Sequence, residues 1–168
     1  MSSRPSGLHR RLSPSDVEEL RDLLRTCWID TYTGLLPESV INTAIREWQS
    51  KESLLRGLEN PQAYYAGYVV DGVLAGMVSA GKISPDTVKI FQLYVRPGNQ
   101  RKGIGKELMD GAIRHFASDA VRKVVLDVEK GNRKGVSFYK KYGFEYPRET
   151  AIKVGRDEIP CLIGELLL

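Results

Sequence analysis

The sequence is poor in the residue types that build metal and disulfide frameworks. Its 168 residues include only two cysteines, Cys27 and Cys161, and two histidines. Two distant cysteines form no zinc-ligand spacing and no dense disulfide framework, so we expect free thiols in a reducing compartment and no metal site. No apolar run approaches the roughly 20 residues of a membrane-spanning helix. The polar, basic start lacks the apolar segment of a secretory signal, and a cytoplasmic location is expected.

The chain also lacks a strong charge bias. Lys and Arg exceed Asp and Glu by 25 − 21 = 4, a small excess that does not indicate a nucleic-acid partner. The basic residues nevertheless gather over residues 96–106 and 130–141. Such clusters suit an anionic ligand, although solvated helix faces commonly carry the same charges. Because no helix-turn-helix or aromatic-basic pattern accompanies the charge, a nucleic-acid-binding module is the least favoured interpretation.

Composition and length fit one soluble domain. Hydrophobic residues make up 42% of the chain and charged residues 27%, which is ordinary for a globular protein and argues against disorder. No internal repeat or long linker interrupts the sequence. We therefore expect a single domain over residues 1–168, with a loose N-terminal tail over residues 1–7.

Periodicity and turn signals divide the chain into helices and strands. Ser13 and Pro14 are typical of a helix start, and apolar residues at helical spacing follow from Val17 to Trp28. Further helices are predicted at 40–48, 52–58, 104–118 and 134–142. Strands are predicted at 8–12, 63–70, 73–81, 87–95, 124–128, 144–154 and 159–168.

The order of these elements predicts the fold. Asp71-Gly72 is a two-residue hairpin signal, and it indicates an antiparallel meander over residues 63–95. The strand, helix and strand over residues 87–128 indicate a right-handed crossover between parallel strands. The predicted class is α/β (α+β): a central mixed, mostly antiparallel twisted sheet of six to seven strands, flanked by four to five helices. Leu166, Leu167 and Leu168 are expected to form a buried strand end.

A glycine loop, Gln100-Arg101-Lys102-Gly103-Ile104-Gly105, lies between a predicted strand and a predicted helix. Backbone amides and the helix dipole favour an anion at such a place, and glycine lets a phosphate approach closely. A P-loop is excluded because no Gly-Lys-Ser/Thr follows at the required spacing. A dinucleotide fingerprint is disfavoured because Leu108 stands where a third glycine or alanine is needed. A plain strand-to-helix turn remains the alternative.

Two motifs at this spacing resemble those of one family. The loop, following Leu93-Tyr94-Val95-Arg96-Pro97, resembles the coenzyme-binding motif of the GCN5-related N-acetyltransferase (GNAT) superfamily. Residues 132–144, with Asn132, Phe138-Tyr139 and Gly143-Phe144, resemble the second motif of that superfamily, and the order of elements agrees along essentially the whole chain. Residues 27–37 more loosely resemble the subgroup that includes polyamine acetyltransferases of the PaiA type.

The resemblance implies a GNAT fold and a site for acetyl-CoA as cosubstrate. In the family, the strand before the loop splays from its parallel neighbour and the pantetheine arm lies in the gap. Main-chain groups of Leu93 and Val95 would then hold the pantetheine, one of them polarising the thioester carbonyl, and the amides of residues 101–106 would hold the pyrophosphate. The residues implied to bind the coenzyme are Leu93, Tyr94, Val95, Gln100, Arg101, Lys102, Gly103, Ile104, Gly105, Lys106, Asn132, Phe138 and Lys141.

The resemblance also implies direct acetyl transfer to an amine in a ternary complex. Tyr139 matches the acid of the family, which protonates the departing thiolate; the alternative is a half-buried core tyrosine. Many relatives carry a glutamate as base on the strand before the loop, but the matching residue here is Lys89. Asp127, Glu129, Asp30 and Tyr32 are candidate bases, although a solvated charge or a strand-end residue is the favoured interpretation of each.

The acceptor is expected to be a small primary amine, with a polyamine as one option and a protein N-terminus or lysine as the alternative. The first two helices and the final hairpin would line its cleft, with Trp28, Tyr32 and Asp127 as candidate contacts. Acids that could attract a cationic amine are Asp30, Glu38, Glu47, Glu145 and Glu149. A sensor that binds acetyl-CoA without turnover is a further alternative. The apolar final strand could also pair across a two-fold axis in a homodimer.

Overall fold

The computed structural model describes residues 6–168, which form five α-helices and seven β-strands. Most of the predicted tail, residues 1–5, lies outside the described residues, and the first strand already begins at Gly7. The strands are β1 Gly7–Arg11, β2 Ala63–Val70, β3 Val73–Ser84, β4 Thr87–Val95, β5 Lys123–Glu129, β6 Glu145–Val154 and β7 Asp157–Leu167. The helices are α1 Val17–Tyr32, α2 Glu38–Trp48, α3 Lys51–Glu59, α4 Ile104–Phe116 and α5 Arg133–Tyr142.

All seven strands belong to one sheet in the order β1-β2-β3-β4-β5-β7-β6. Neighbouring strands are antiparallel except β4 and β5, which run parallel and are joined through α4. A parallel pair needs such a crossover because its two strands start at the same edge of the sheet. The predicted meander, the crossover and the mixed, mostly antiparallel sheet are all confirmed.

The final strand differs from expectation in two ways. β7 lies between β5 and β6, so both of its edges are already paired. It is therefore not available to pair with a second copy, and the edge strands of the described sheet are β1 and β6. The predicted buried end is also wrong for Leu167, which is 78% exposed, and for Leu168, because β7 ends opposite Lys123, the first residue of β5, at the edge of the sheet.

Helices cover both faces of the sheet. α4 packs on one face, where Ile104, Leu108 and Met109 join side chains of β2 to β5 in the largest core cluster. α1, α2 and α3 cover the opposite face and form two smaller clusters. Successive residues of β3 alternate between them: Met77 faces the cluster under α1 and Val78 faces the cluster under α4. This alternation is the period of two that a strand imposes on its side chains.

The position of α4 depends on a glycine in β3. A Cβ atom at Gly76 would lie 3.0 Å from Leu108 Cδ1 and 3.1 Å from both Ile104 Cγ2 and the Tyr94 carbonyl oxygen. Real Cβ atoms are rarely so close to their neighbours, so the missing side chain lets the first turns of α4 rest directly on the sheet. The start of α4 is thereby fixed relative to β4, the strand that precedes the glycine loop.

Helix boundaries follow local chemistry more closely than the apolar period alone suggests. At the predicted start Ser13, the chain enters a 3₁₀ turn at Pro14–Asp16, where the Ser13 amide donates to Asp16 Oδ2 at 2.8 Å, and α1 follows from Val17. α4 ends at Phe116, two residues before the predicted end. The chain becomes extended at Ala117 on its way to β5, and Phe116 is the last residue of the apolar stripe.

The contrast between a buried and an exposed leucine tests this packing. We expect Leu108→Ala, at a position with 0% exposure, to lower the free energy of unfolding by about 2–5 kcal/mol because it leaves a cavity under α4. Leu167→Ala should change it by less than about 0.5 kcal/mol. Urea unfolding followed by circular dichroism measures both, and equal losses for the two variants would contradict the packing described here.

Candidate active site

The central feature of the site is a gap between the two parallel strands. β4 and β5 are paired only from Thr87↔Lys123 to Ile90↔Leu126, although both strands continue beyond that point. Beyond Ile90, β4 remains paired with β3 as far as Val95, and β5 remains paired with β7 as far as Glu129. Phe91 is an extra residue in the β3–β4 register, which shifts between Ser79 and Ala80, and such a bulge bends a strand. The strands therefore splay, as the resemblance implied.

The open edge of β4 presents peptide groups to this gap. The Arg96 amide donates to the Ala75 carbonyl of β3 at 2.8 Å. Because the peptide groups of a strand alternate between its two edges, those of Leu93 and Val95 point away from β3 and toward β5. The Val95 carbonyl accepts a hydrogen bond from the Gln100 side chain at 3.0 Å, and this bond ties the end of β4 to the glycine loop.

The glycine loop leaves a row of amides without protein partners. Arg101 and Gly103 adopt positive φ angles of 62° and 84°, a conformation that glycine tolerates best. α4 starts directly after Gly103, with no side chain capping its first turn. Within residues 6–168, the amides of residues 102–106 donate to no protein acceptor, and the first such bond runs from Glu107 to the Gly103 carbonyl. Unpaired amides and the helix dipole together form an anion site.

Most of the positive charge around the loop is already engaged. Lys106 forms an ion pair with Asp110 at 2.8 Å, and the Lys102 ammonium donates to the Gly98 carbonyl at 3.1 Å. Arg96 binds Asp22 at 2.9 Å and the Leu74 carbonyl at 2.7 Å. Arg101 is exposed and forms no ion pair with another residue of the described chain. The amides, rather than the whole basic cluster, are therefore the groups of this loop that are left free to bind an anion.

α5 packs against the loop through Phe138. A Cβ atom at Gly105 would lie 3.2 Å from two carbons of the Phe138 ring, so a larger residue would push the loop and α5 apart. Asn132 caps α5, because its side-chain oxygen accepts a hydrogen bond from the Gly135 amide at 3.0 Å. Sequence reasoning missed this cap. Lys141 is exposed on the last turn of the helix.

Three tyrosines converge beside the gap. Burial raises the pKa of Tyr32 to about 12. The groups that interact with its hydroxyl include the hydrogen-bonding partners Tyr94 and Asn132 and the carboxylate of Glu129. Burial also raises the pKa of Tyr94, and the neighbouring Tyr32 phenol raises it further. Burial raises the pKa of Tyr139, to which Tyr32 and Tyr146 add smaller effects. All three phenols are therefore protonated at neutral pH, which is the state that a proton donor needs.

A cleft of about 230 Å³ lies next to these tyrosines. α1, α2, β4, β5 and the β6–β7 hairpin surround it. The first two helices and the final hairpin are the elements that were expected to line an acceptor cleft. Trp28 is both a core residue and part of its wall, with its ring centroid 4.4 Å from that of Tyr32 and 5.8 Å from that of Trp48. The lining residues are Trp28, Tyr32, Trp48, Gln49, Lys89, Ile90, Phe91, Gln92, Tyr94, Asp127, Glu129, Ile152, Ile159 and Cys161.

The acids of the cleft are not those that composition suggested. Asp30, Glu38, Glu47, Glu145 and Glu149 are all exposed and none of them lines the cleft. Asp127 lines it but forms an ion pair with Lys89 at 2.6 Å. Glu129 is the last residue of β5, as the interpretation of a strand-end residue implied, but it is only 8% exposed and is therefore not a solvated charge. Asp127 and Glu129 lie two residues apart on one face of β5, which the strand period could have indicated.

Gln49 lines the cleft as well, although no sequence pattern drew attention to it. It follows the last residue of α2 and is 3% exposed. Its side-chain oxygen and nitrogen have no hydrogen-bond partner in the described chain, and the same is true of Glu129 Oε2. Buried polar atoms without partners are uncommon in folded proteins, so these atoms are available to a ligand that enters the cleft.

Both cysteines are free thiols, as expected. Burial raises the pKa of Cys27 to about 12 and that of Cys161 to about 11. Neither is therefore a thiolate at neutral pH, and neither is suited to covalent catalysis.

Within residues 6–168 no three histidine, cysteine or acidic side chains gather as a metal site requires. No helix in that range has the length and apolar character needed to cross a bilayer.

Comparison with known proteins agrees with this geometry. A family model described as "Acetyltransferase (GNAT) family" matches residues 17–144, which includes both β4 and α5. The chain belongs to this family. Acetyl-CoA is the cosubstrate of the family, and the splayed strands and free loop amides suit its pantetheine arm and pyrophosphate. The protein is an acetyl-CoA-dependent N-acetyltransferase.

Individual relatives support the same conclusion. A spermidine N(1)-acetyltransferase of Thermoplasma acidophilum is 34% identical over 140 residues, which cover 81% of this chain and 86% of the relative. The crystal structure of a PaiA N-acetyltransferase from T. acidophilum in complex with coenzyme A matches with a TM-score of 0.85 and 30% identity, over 97% of this chain and 99% of that one. A GCN5-related N-acetyltransferase from Rhodopseudomonas palustris shares the fold, with a TM-score of 0.84, 16% identity and coverage of 100% and 98%.

The contact between Gly105 and Phe138 generates a test of the loop. We expect Gly105→Ala to weaken coenzyme A binding about tenfold or more, since the added methyl group must displace the Phe138 ring or the loop at a cost of ~1–3 kcal/mol. Gly98→Ala is the matched control, because a Cβ atom there meets nothing within 4 Å. Isothermal titration calorimetry with coenzyme A measures both, and equal affinity in the two variants would show that the close approach at Gly105 is unimportant.

Proposed function

We propose that the acetyl acceptor is a small cationic amine, with polyamines as the favoured class. The observation that carries this proposal is the cleft itself, which is small and walled by aromatic rings. Its charged lining residues are Lys89, Asp127 and Glu129, which together carry a formal net charge of −1. Its volume is below the roughly 300–1,000 Å³ usual for drug-sized ligands. The similarity to a spermidine N(1)-acetyltransferase supports the same class of acceptor.

The coenzyme is proposed to lie across the splayed strands. Peptide groups of Leu93 and Val95, at the open edge of β4, would bind the pantetheine arm, and Tyr94 would contact it from the same strand. The free amides of the loop would bind the pyrophosphate, and Asn132 and Phe138 would contact the arm from α5. The loop residues in this proposal are Gln100, Arg101, Lys102, Gly103, Ile104, Gly105 and Lys106, with Lys141 near the adenosine end.

Tyr139 is proposed to be the acid of the reaction. Acetyl-CoA supplies an activated acetyl group, and its thiol must leave with a proton. Tyr139 lies on α5 beside Phe138 and close to the phenols of Tyr32 and Tyr94. In residues 6–168 its hydroxyl is engaged by no hydrogen bond, so it is free to donate one to a departing sulfur.

A panel of amines tests the class of acceptor. We expect steady-state release of coenzyme A with spermidine and other short aliphatic amines, and much slower release with peptides that offer an N-terminus or a lysine, because the narrow cleft excludes their bulk. Release with peptides alone would overturn this proposal in favour of a protein acetyltransferase.

The role of Tyr139 has its own test. We expect Tyr139→Phe to lower kcat about 100-fold or more, the usual contribution of a positioned acid, while the affinity for acetyl-CoA stays nearly unchanged. Tyr142→Phe is the control, since Tyr142 lies one turn away on the same helix and its hydroxyl donates to Asp110 instead. A loss of affinity with unchanged turnover of the bound complex would instead assign Tyr139 a structural role.

A further inference from the structure

The charges that line the acceptor cleft can be assigned one by one. Its wall contains three charged side chains, Lys89, Asp127 and Glu129. Lys89 and Asp127 neutralise each other through their 2.6 Å ion pair. Within the described part of the chain, the negative charge that remains in the cleft therefore belongs to Glu129.

The Glu129 carboxylate is buried, and its Oε2 atom has no hydrogen-bond partner among the described residues. Gly131 leaves room beside it, since a Cβ atom there would lie 3.0 Å from Oε2 and 3.3 Å from Oε1. A buried carboxylate without a partner is costly, and it is stable when a cation with hydrogen-bond donors binds to it.

Gln49 is a second, independent observation on the same cleft. It comes from α2 rather than from β5, it is 3% exposed, and both polar atoms of its side chain lack partners in residues 6–168. Its amide oxygen accepts hydrogen bonds from a cation as a carboxylate does. The aromatic walls Trp28, Tyr32 and Trp48 add ring faces, which also attract ammonium ions.

We infer that Glu129 is the acceptor-binding residue and the base of the reaction: its carboxylate binds the ammonium of the acceptor amine, with Gln49 as a second ligand, and takes one of its protons. This inference rests on the proposed function and assigns it a specific residue. It places the base at the end of β5, because the charged residue that β4 contributes to the cleft is Lys89, a cation paired with Asp127. Glu129 is also close enough to Tyr32 to raise the pKa of that phenol, so the carboxylate lies beside the tyrosine cluster.

The proton and electron balance of this step is simple. Glu129 removes one proton from the ammonium and leaves a neutral amine with a free electron pair. The amine nitrogen forms a bond to the acetyl carbon while the carbon–sulfur bond breaks and its electron pair stays on sulfur. Tyr139 gives its proton to the sulfur and regains one from the nitrogen as the amide forms. Glu129 then releases its proton to water, so each turnover yields one amide, one thiol and one free proton.

Binding without the coenzyme gives the first test. The chain contains two tryptophans, Trp28 and Trp48, and both line the cleft, so intrinsic fluorescence reports on its occupancy. We expect spermidine to change the fluorescence of the wild type, and Glu129→Gln to raise its dissociation constant about tenfold or more, the loss of one charge-assisted contact. Glu149→Gln removes an exposed acid outside the cleft and should leave binding unchanged.

Turnover with paired amines gives the second test. Benzylamine carries a proton at neutral pH and aniline does not, although the two are similar in size. If Glu129 removes a proton, Glu129→Gln should lower kcat/KM for benzylamine about 100-fold or more and for aniline far less. Binding of acetyl-CoA, measured by calorimetry, should match the wild type and exclude misfolding.

The outcomes separate this inference from the proposed function. If the wild type acetylates spermidine but Glu129→Gln binds and acetylates it equally well, the role of Glu129 is overturned and the proposed function stands. A loss of spermidine binding in Asp127→Asn but not in Glu129→Gln would also overturn it. If the wild type acetylates no amine while its fluorescence responds to spermidine through Glu129, the proposed function fails and the ammonium site stands.

Discussion

The loss of hydrogen bonds between β4 and β5 after Ile90 and Leu126 is the constraint on which the site depends. Continuous pairing to the ends of both strands would leave no edge free for a ligand. The two strands are instead held apart by their other neighbours, since β4 stays paired to β3 and β5 stays paired to β7. The gap therefore belongs to the sheet itself and exposes peptide groups that a ligand can bind.

Close packing of the helices turns this gap into a site. α4 rests on β3 at Gly76 and α5 rests on the loop at Gly105, and in both places a methyl group would be crowded. These contacts fix the free amides at the start of α4 relative to the open edge of β4. On the other side of the gap, α1 and α2 close the cleft with Trp28, Trp48 and Gln49. The gap and the cleft thus meet at the tyrosines.

The fold could be predicted from the sequence because each of its decisive features is local. Asp71-Gly72 fixes a hairpin, the apolar stripe from Ile104 fixes a helix, and two glycine-containing motifs at the right spacing indicate the family. The residues of the cleft were harder to predict. Gln49 directly follows the end of α2, and no sequence pattern marks it as a cleft residue. The ion pair of Lys89 with Asp127 depends on the register of β4 and β5. The burial of Glu129 required knowledge of the helices and loops that cover its strand.

The most direct measurement of the central claim is calorimetric titration with coenzyme A and with pantetheine, which lacks the diphosphate and the phosphoadenosine attached to it. If the amides at the start of α4 hold the diphosphate and the open edge of β4 holds the arm, coenzyme A should bind and pantetheine should bind far more weakly. Equal affinity for the two compounds, or no binding of coenzyme A at millimolar concentration, would contradict the account.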